Sequence, residues 1–286
     1  MASSSRRSDG RLGGSVRLGR RSGLRLVLGL ATLAIGLALT AVPRTSRATD
    51  SEVDVALVLA VDISFSMDED EQRLQRAGYV QALQSPAFLD AVRKGLIGRI
   101  AVTFVEWAGT SSQHVVVPWQ IIDGPESADR FVSKLIETPP KRAYRTSISG
   151  GIDFAARQFD SLSAKALRRV IDVSGDGPNN QGRSVTLARD EAVARGIIIN
   201  GLPLMLKEPG YLDIVDLDRY YERCVIGGPG AFMIPVRERG QFVEATRNKL
   251  LQEVSNHGAL IVPAADGGPA VSCLVGERQW DERMGN

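Results

Sequence analysis

Residues 54–67 read Asp-Val-Ala-Leu-Val-Leu-Ala-Val-Asp-Ile-Ser-Phe-Ser-Met. The run Val55–Val61 contains no polar residue, so it lacks the alternation of a strand with one wet face. It fits a strand buried on both faces of a parallel sheet. Similar apolar runs recur at Ile100–Val105, Val115–Val117, Val170–Val173, Ile197–Leu204 and Phe232–Val236. Between several of them the spacing turns helical: Leu74, Ala77, Val80 and Leu83 form one stripe, and Ile148, Ile152, Ala155 and Phe159 a clearer one. Val243, Leu250 and Val254 suggest a third. Strands alternating with helices predict a doubly wound α/β fold, with a mostly parallel central sheet flanked by helices. Residues 49–286 read as a single such domain, interrupted only by an irregular stretch around Glu208-Pro209-Gly210.

The chain has 286 residues, 43% hydrophobic and 24% charged, which is globular composition. Cys224 and Cys273 are the only cysteines, and His114 and His257 the only histidines, which excludes a disulfide-rich scaffold and a four-cysteine zinc site. The net charge of +2 is unevenly placed. Residues 1–48 hold nine arginines and one acid, Asp9, a charge of +8, which leaves −6 on residues 49–286. That first segment runs from scattered arginines through the uncharged stretch Leu26–Val42 to Ser46-Arg47-Ala48. Basic region, apolar region and small-x-small site together make an export signal, expected to be cleaved after Ala48. The seventeen uncharged residues fall short of the roughly 20 of a spanning helix. The alternative is a retained N-terminal membrane anchor. Arg20-Arg21 with Leu24 resembles a twin-arginine signal, although Gly23 stands where that pattern prefers an apolar residue; twin-arginine and general secretory export both remain open. Either route predicts a periplasmic or secreted bacterial protein. Cys224 and Cys273 could pair in such a compartment, but their spacing does not show it. An acidic domain argues against nucleic acid as a partner.

Asp62, Ser64 and Ser66 occupy alternate positions where the first strand ends, the edge at which open α/β sheets bind ligands. Ser66 with Glu69 also has capping-box spacing. Thr146 lies in Arg145-Thr146-Ser147-Ile148-Ser149-Gly150-Gly151-Ile152, at the start of a helix, where an N-cap is the competing role. Asp176-Gly177 follows the strand Val170–Val173 and alone reads as a turn. All these candidate ligand atoms are oxygens, which suit Mg²⁺, Mn²⁺ or Ca²⁺ rather than zinc or copper.

In that order, the segments 62–66, 145–152 and 174–177 resemble the metal-ion-dependent adhesion site of von Willebrand factor type A domains, written Asp-x-Ser-x-Ser, then Thr, then Asp. The segments DVALVLAVDISFSM, VSGDGPNN and VIGGPGAF are similar more particularly to an uncharacterised bacterial family of exported type A-like proteins. The resemblance implies that Ser64 and Ser66 bind a divalent cation, Mg²⁺ first, through their hydroxyls, and that Thr146 binds directly or through water. Asp62 and Asp176 would orient the serines and hold bound waters. Asp172 is a second acid in the strand leading to Asp176; it reads as a buried structural residue, and takes over the metal role if the register is shifted.

Other features have plainer readings. Glu106-Trp107 reads as a rim pair, Asp68 to Glu71 as an acidic helix start, Asn179 to Gln181 as polar loop filling, and Arg142 and Arg145 as solvated surface, with steering of an acidic ligand as the alternative. The sequence contains no Walker A loop, dinucleotide fingerprint or nucleophile elbow. The function the resemblance implies is an exported, non-enzymatic module that grips an acidic residue of a partner protein through a bound divalent ion. Two alternatives stand beside it. One is a metal-assisted hydrolase with Asp62, Asp176 or Glu106 as base; a serine hydrolase would require His114 or His257. The other is a type A-like domain without metal. The membrane enters only if the N-terminal segment is retained.

Overall fold

The strand expected at Val55–Val61 is the centre of the molecule. In the computed structural model, which describes residues 51–208, 210, 213–255 and 271–285, it runs as β1 (Glu52–Asp62) in the middle of a five-stranded sheet. The segment 1–48 and His257 lie outside the described residues. Ala56, Val58 and Ala60 enter one core, while Val55, Leu57, Leu59 and Val61 enter the other. This alternation is why the run must be apolar throughout. Each such valine or leucine contributes roughly 1.5–3 kcal/mol on burial.

The remaining strands are β2 (Ile100–Trp107), β3 (Gln113–Ile122), β4 (Lys165–Gly175) and β5 (Ile197–Pro203), in the order β3-β2-β1-β4-β5. All neighbours are parallel except β3, which returns antiparallel along β2 at the edge. The chain leaves β1 toward β2 and β3, then crosses back to place β4 on the other side. The order therefore reverses between β1 and β4, and a crevice opens outside their C-terminal ends. The pairing of Val61 with Ser174 places the end of β1 beside the end of β4.

Helices cover both faces. On one face lie α4 (Ile148–Gln158), α5 (Val185–Ala194) and α6 (Leu217–Tyr220), which runs on as a π-helical turn, Tyr221–Val225. On the other lie α1 (Glu69–Leu83), α2 (Pro86–Arg93), α3 (Pro125–Glu137) and α7 (Phe242–Val254). A last helix, α8 (Val275–Met284), follows Cys273, which forms a disulfide with Cys224. No helix among the described residues is long and apolar enough to cross a membrane.

Three expectations need correction. Phe232–Val236 is not a full strand: it touches β5 only through single bridges at Met233 and Val236, because Pro203 and Pro235 offer no N–H to a continuous ladder. The stripe Leu74, Ala77, Val80 is only half-buried, and α1 instead turns Gln75, Gly78, Tyr79 and Ala82 inward. The reason is tertiary: Gln75 donates to Ser174 at 3.0 Å, and α7 lies so close that a Cβ at Gly78 would meet the Phe242 ring at 2.6 Å. Finally, Glu106 and Trp107 are not rim residues. Both are buried, Glu106 against Arg76, and Trp107 over Gly151 of α4.

Asp172 faces away from the crevice. Its Oδ1 accepts from Lys249 of α7 at 2.8 Å; Lys249 also donates to Glu253, whose other oxygen accepts from Asn200 of β5 at 2.8 Å. The two acids and one lysine are fully enclosed and clamp α7 to the sheet. Removing the cation strands two carboxylates in the core. Lys249→Met is expected to lower unfolding free energy by about 3–5 kcal/mol, measured by urea denaturation.

Candidate metal centre

At the end of β1 the Asp62 carboxylate turns the chain, its Oδ1 accepting from the Ser64 N–H at 2.6 Å. That turn brings Ser64 Oγ to 2.7 Å from Ser66 Oγ, and Ser66 Oγ donates to Asp176 Oδ1 at 2.6 Å. Four of the five expected residues thus form one hydrogen-bonded chain from the end of β1 to the residue after β4. Thr146 is not part of that chain; its backbone is bonded to Asn180, four residues beyond Asp176. Its N–H donates to Asn180 Oδ1 at 2.9 Å, and its carbonyl accepts from the Asn180 N–H at 2.8 Å.

Neither hydroxyl with a competing helix role is used that way. Ser147, not Thr146, caps α4, its Oγ accepting from Gly150 N–H at 3.1 Å. Asp68, not Ser66, caps α1, in a reciprocal box with Glu71 at 2.7 and 2.9 Å.

The electrostatics of the chain call for a cation. Asp62 is fully buried, and its pKa is pushed well above the usual carboxylate range, first by desolvation and then by the neighbouring Asp176. Burial raises Asp176 too, against the opposing pull of Lys207 and Ser66. Asp62 Oδ2 is buried with no hydrogen-bond partner among the described residues, as is the Tyr221 hydroxyl. An unsatisfied buried acceptor costs about 1–3 kcal/mol. The donor set is two hydroxyls and two carboxylates, hard oxygens that fit Mg²⁺, Mn²⁺ or Ca²⁺. No group of three or more His, Cys, Asp or Glu able to hold an ion occurs among the described residues, so a site here would need other oxygens beside the two carboxylates.

Sequence reading missed Lys207. Its ammonium lies 2.9 Å from Asp176 Oδ2 and also donates to the Ser66 carbonyl. Burial opposes its charge, but Asp176, Asp213 and Glu71 together outweigh that and its pKa is raised. Beside Asp176 and Lys207 opens a cavity of about 240 Å³, walled by Leu204, Met205, Ile214 and Val215. Lys207 follows β5 by four residues, and no spacing in the sequence ties it to Asp176.

The loops are braced from behind. Asn179 Oδ1 accepts from Ser149 N–H at 3.0 Å, and its amide donates to Glu277 of α8 at 2.7 Å. Gln181 accepts from the Thr110 N–H at 3.0 Å. These residues, read as loop filling, stitch the Asp176 loop to its neighbours. Arg145 has φ +74°, a costly conformation for a residue with a Cβ, and its guanidinium lies 3.4 Å from the Trp280 ring centroid. His114 and Glu106 approach to 3.1 Å on neighbouring strands, but the His114 Nε2 has no hydrogen-bond partner among the described residues.

A family model described as "Protein of unknown function (DUF1194)" matches residues 52–258, most of the chain. The chain belongs to the DUF1194 family. No curated protein sequence matches it. Among solved structures, this DUF1194 chain is similar to the pilus adhesin SpaC from Lactobacillus rhamnosus GG, at 12% identity and TM-score 0.54, covering 71% of this chain and 31% of that one. It is also similar to proximal thread matrix protein 1 from the mussel byssus, with a zinc-occupied MIDAS motif, at 11% identity and TM-score 0.51, covering 71% and 49%. A von Willebrand factor type A protein from Catenulispora acidiphila follows at 14% identity and TM-score 0.49, covering 71% and 43%. The chain therefore spans half or less of the length of these structures. At such identities the likeness to the first two structures establishes only that this chain shares their fold.

The crevice leaves no room behind Asp62. A Cβ at Gly175 would fall 2.8 Å from Asp62 Oδ2 and 3.0 Å from the Tyr221 hydroxyl, whereas one at Gly177 would meet nothing within 4 Å. Gly175→Ala is expected to destabilise by about 1–3 kcal/mol in thermal or urea unfolding, with Gly177→Ala close to wild type.

Proposed function

We propose that this protein is an exported adhesion or assembly module that binds a divalent cation, Mg²⁺ first, and through it an acidic side chain of a partner protein. The observation that carries the reading is the hydrogen-bonded chain Asp62–Ser64–Ser66–Asp176 at the switch point of the sheet, with two buried carboxylates whose pKa values burial raises. Ser64 and Ser66 would supply neutral ligands, with Thr146 direct or through water, and Asp62 and Asp176 would hold bound waters. Neutral ligands leave the ion's charge poorly compensated, so it attracts one more carboxylate. An adhesin and a protein with an occupied metal-ion-dependent adhesion site share the fold, which is consistent with this use. Export is supported by the composition of residues 1–48 and by the Cys224–Cys273 disulfide, which suits an oxidising compartment.

A hydrolase is less favoured. Asp62 and Asp176 are engaged by Ser64 and Ser66, and Glu106 is buried against Arg76. One observation favours a different alternative. Lys207 already supplies a cation to Asp176, which would suit a type A-like domain that works without metal. The two readings part in calorimetry. If metal binds, Mg²⁺ or Mn²⁺ gives a saturable heat that Asp62→Ala with Ser64→Ala abolishes. Lys207→Met, by removing a competing charge, tightens binding about tenfold, or 1.4 kcal/mol. Heats absent from both wild type and Lys207→Met would end the metal reading and leave a site closed by its own lysine.

A further inference from the structure

The Thr146 side of the crevice has a composition unlike the rest of the chain. No acid lies between Glu137 and Asp153, and the stretch holds Lys141, Arg142 and Arg145, although residues 49–286 carry a net −6. Among the described residues, none of these three has a carboxylate within 4.0 Å. Arg142 instead donates to the carbonyls of Phe65 and Met67, at 3.0 and 2.7 Å, and Arg145 covers Trp280. Neither arginine is the solvated surface residue expected from sequence; both are held in place without a contacting carboxylate, and Asp281 acts on Arg145 only from beyond that distance. Next to them Phe65 and Tyr144 stack with ring centroids 4.3 Å apart, yet remain 43% and 77% exposed. The Arg142 guanidinium sits 4.5 Å from the Phe65 centroid. This arrangement is fixed by the backbone. Ala143 N–H donates to the Ile63 carbonyl and Phe65 N–H to the Ala143 carbonyl, each at 3.0 Å, so the segment extends the sheet alongside β1.

An exposed aromatic stack contributes little to folding, and the three cations beside it make no ion pair within 4.0 Å among the described residues. Both make sense as a surface ordered in advance for a ligand, which lowers the entropy lost on binding. Tyrosine and arginine are also the residue types that dominate binding hot spots. We propose that Lys141, Arg142, Arg145, Phe65 and Tyr144 form a docking surface for an acidic segment of a partner protein. One partner carboxylate goes to the metal, a second meets the basic run, and an aromatic residue between them lies on the Phe65–Tyr144 stack. The inference rests on the metal-dependent reading above and names the partner's chemistry. The charge complementarity is local: a basic rim and a cation on an otherwise acidic domain select an acidic segment that the remainder of the surface repels. Basic groups beside aromatic faces also suit single-stranded nucleic acid, which the net charge of the domain disfavours.

The test uses the full chain with Mg²⁺ and three fluorescein-labelled peptides, Gly-Ser-Asp-Gly-Gly-Ser-Gly, Gly-Ser-Asp-Trp-Gln-Ser-Gly and Gly-Ser-Asp-Trp-Glu-Ser-Gly, with a ten-residue oligothymidylate alongside, read by anisotropy. Affinity is expected to rise stepwise through the peptide series, by about tenfold in total, and all binding is expected to disappear with chelator. Tyr144→Ala removes the step given by tryptophan, and Lys141→Gln shrinks the step given by glutamate. Thermal unfolding checks that both variants fold; both positions are exposed. Equal affinity for all three peptides, steps that survive in both variants, or tighter binding of the oligothymidylate overturns the docking surface alone. Failure of even the single-acid peptide to bind in Mg²⁺ overturns the carboxylate-gripping function, and the docking surface with it.

Discussion

Two buried carboxylates meet at the one place where the sheet reverses its order, and one of them, Asp62, has an oxygen with no donor among the described residues. Asp62 closes the central strand and Asp176 lies just beyond the strand beside it, so the register that packs the core also presses like charges together. Ser64 and Ser66 bridge them, Asn180 ties in Thr146, and Lys207 supplies positive charge from the far side. Of these, the serines and Lys207 compensate for the proximity of the two acids. Isolated buried carboxylates are expensive, and a fold retains such a pair only when surrounding groups, or a bound cation, lower the cost.

The same chemistry is handled differently on the opposite face of the sheet. Asp172 and Glu253 are also two acids in an enclosed space, but Lys249 sits between them with no exposure to solvent. That cluster is closed and mechanical, holding α7 in place. At the crevice, Lys207 is only partly covered, and a cavity lies beside it. A lysine that solvent can reach can exchange for another cation, whereas one sealed in the core cannot. The contrast separates a structural clamp from a candidate binding site without reference to any relative.

What the sequence made legible was whatever local pattern controls. The unbroken apolar run of β1, the α4 stripe and the positions of Asp62, Ser64, Ser66 and Asp176 at strand ends follow from period and topology. Where distant elements decide, pattern misled. The inward face of α1 carries Gln75 and Gly78 because Ser174 and Phe242 await them, and a hydrophobic count favours the wrong side. Capping was ambiguous for a related reason: Ser66 and Asp68 both precede acids at the right spacing, and only the path of the chain out of the Asp62 turn selects Asp68. Lys207 and Trp280 were invisible because their partners lie 31 and 135 positions away in the chain.

The length and placement of β1 have a mechanical consequence. The strand has 11 residues and spans roughly 35 Å, entering the sheet at Glu52 and ending at the crevice. A load gripped at Ser64 and resisted by whatever precedes Glu52 would pull the strand along its own axis. Such a load would run along the covalent backbone of β1, and the ladders of β2 and β4 on either side would hold the strand in register without bearing it. The central strand is thus a straight covalent tie between the crevice and the opposite edge of the sheet.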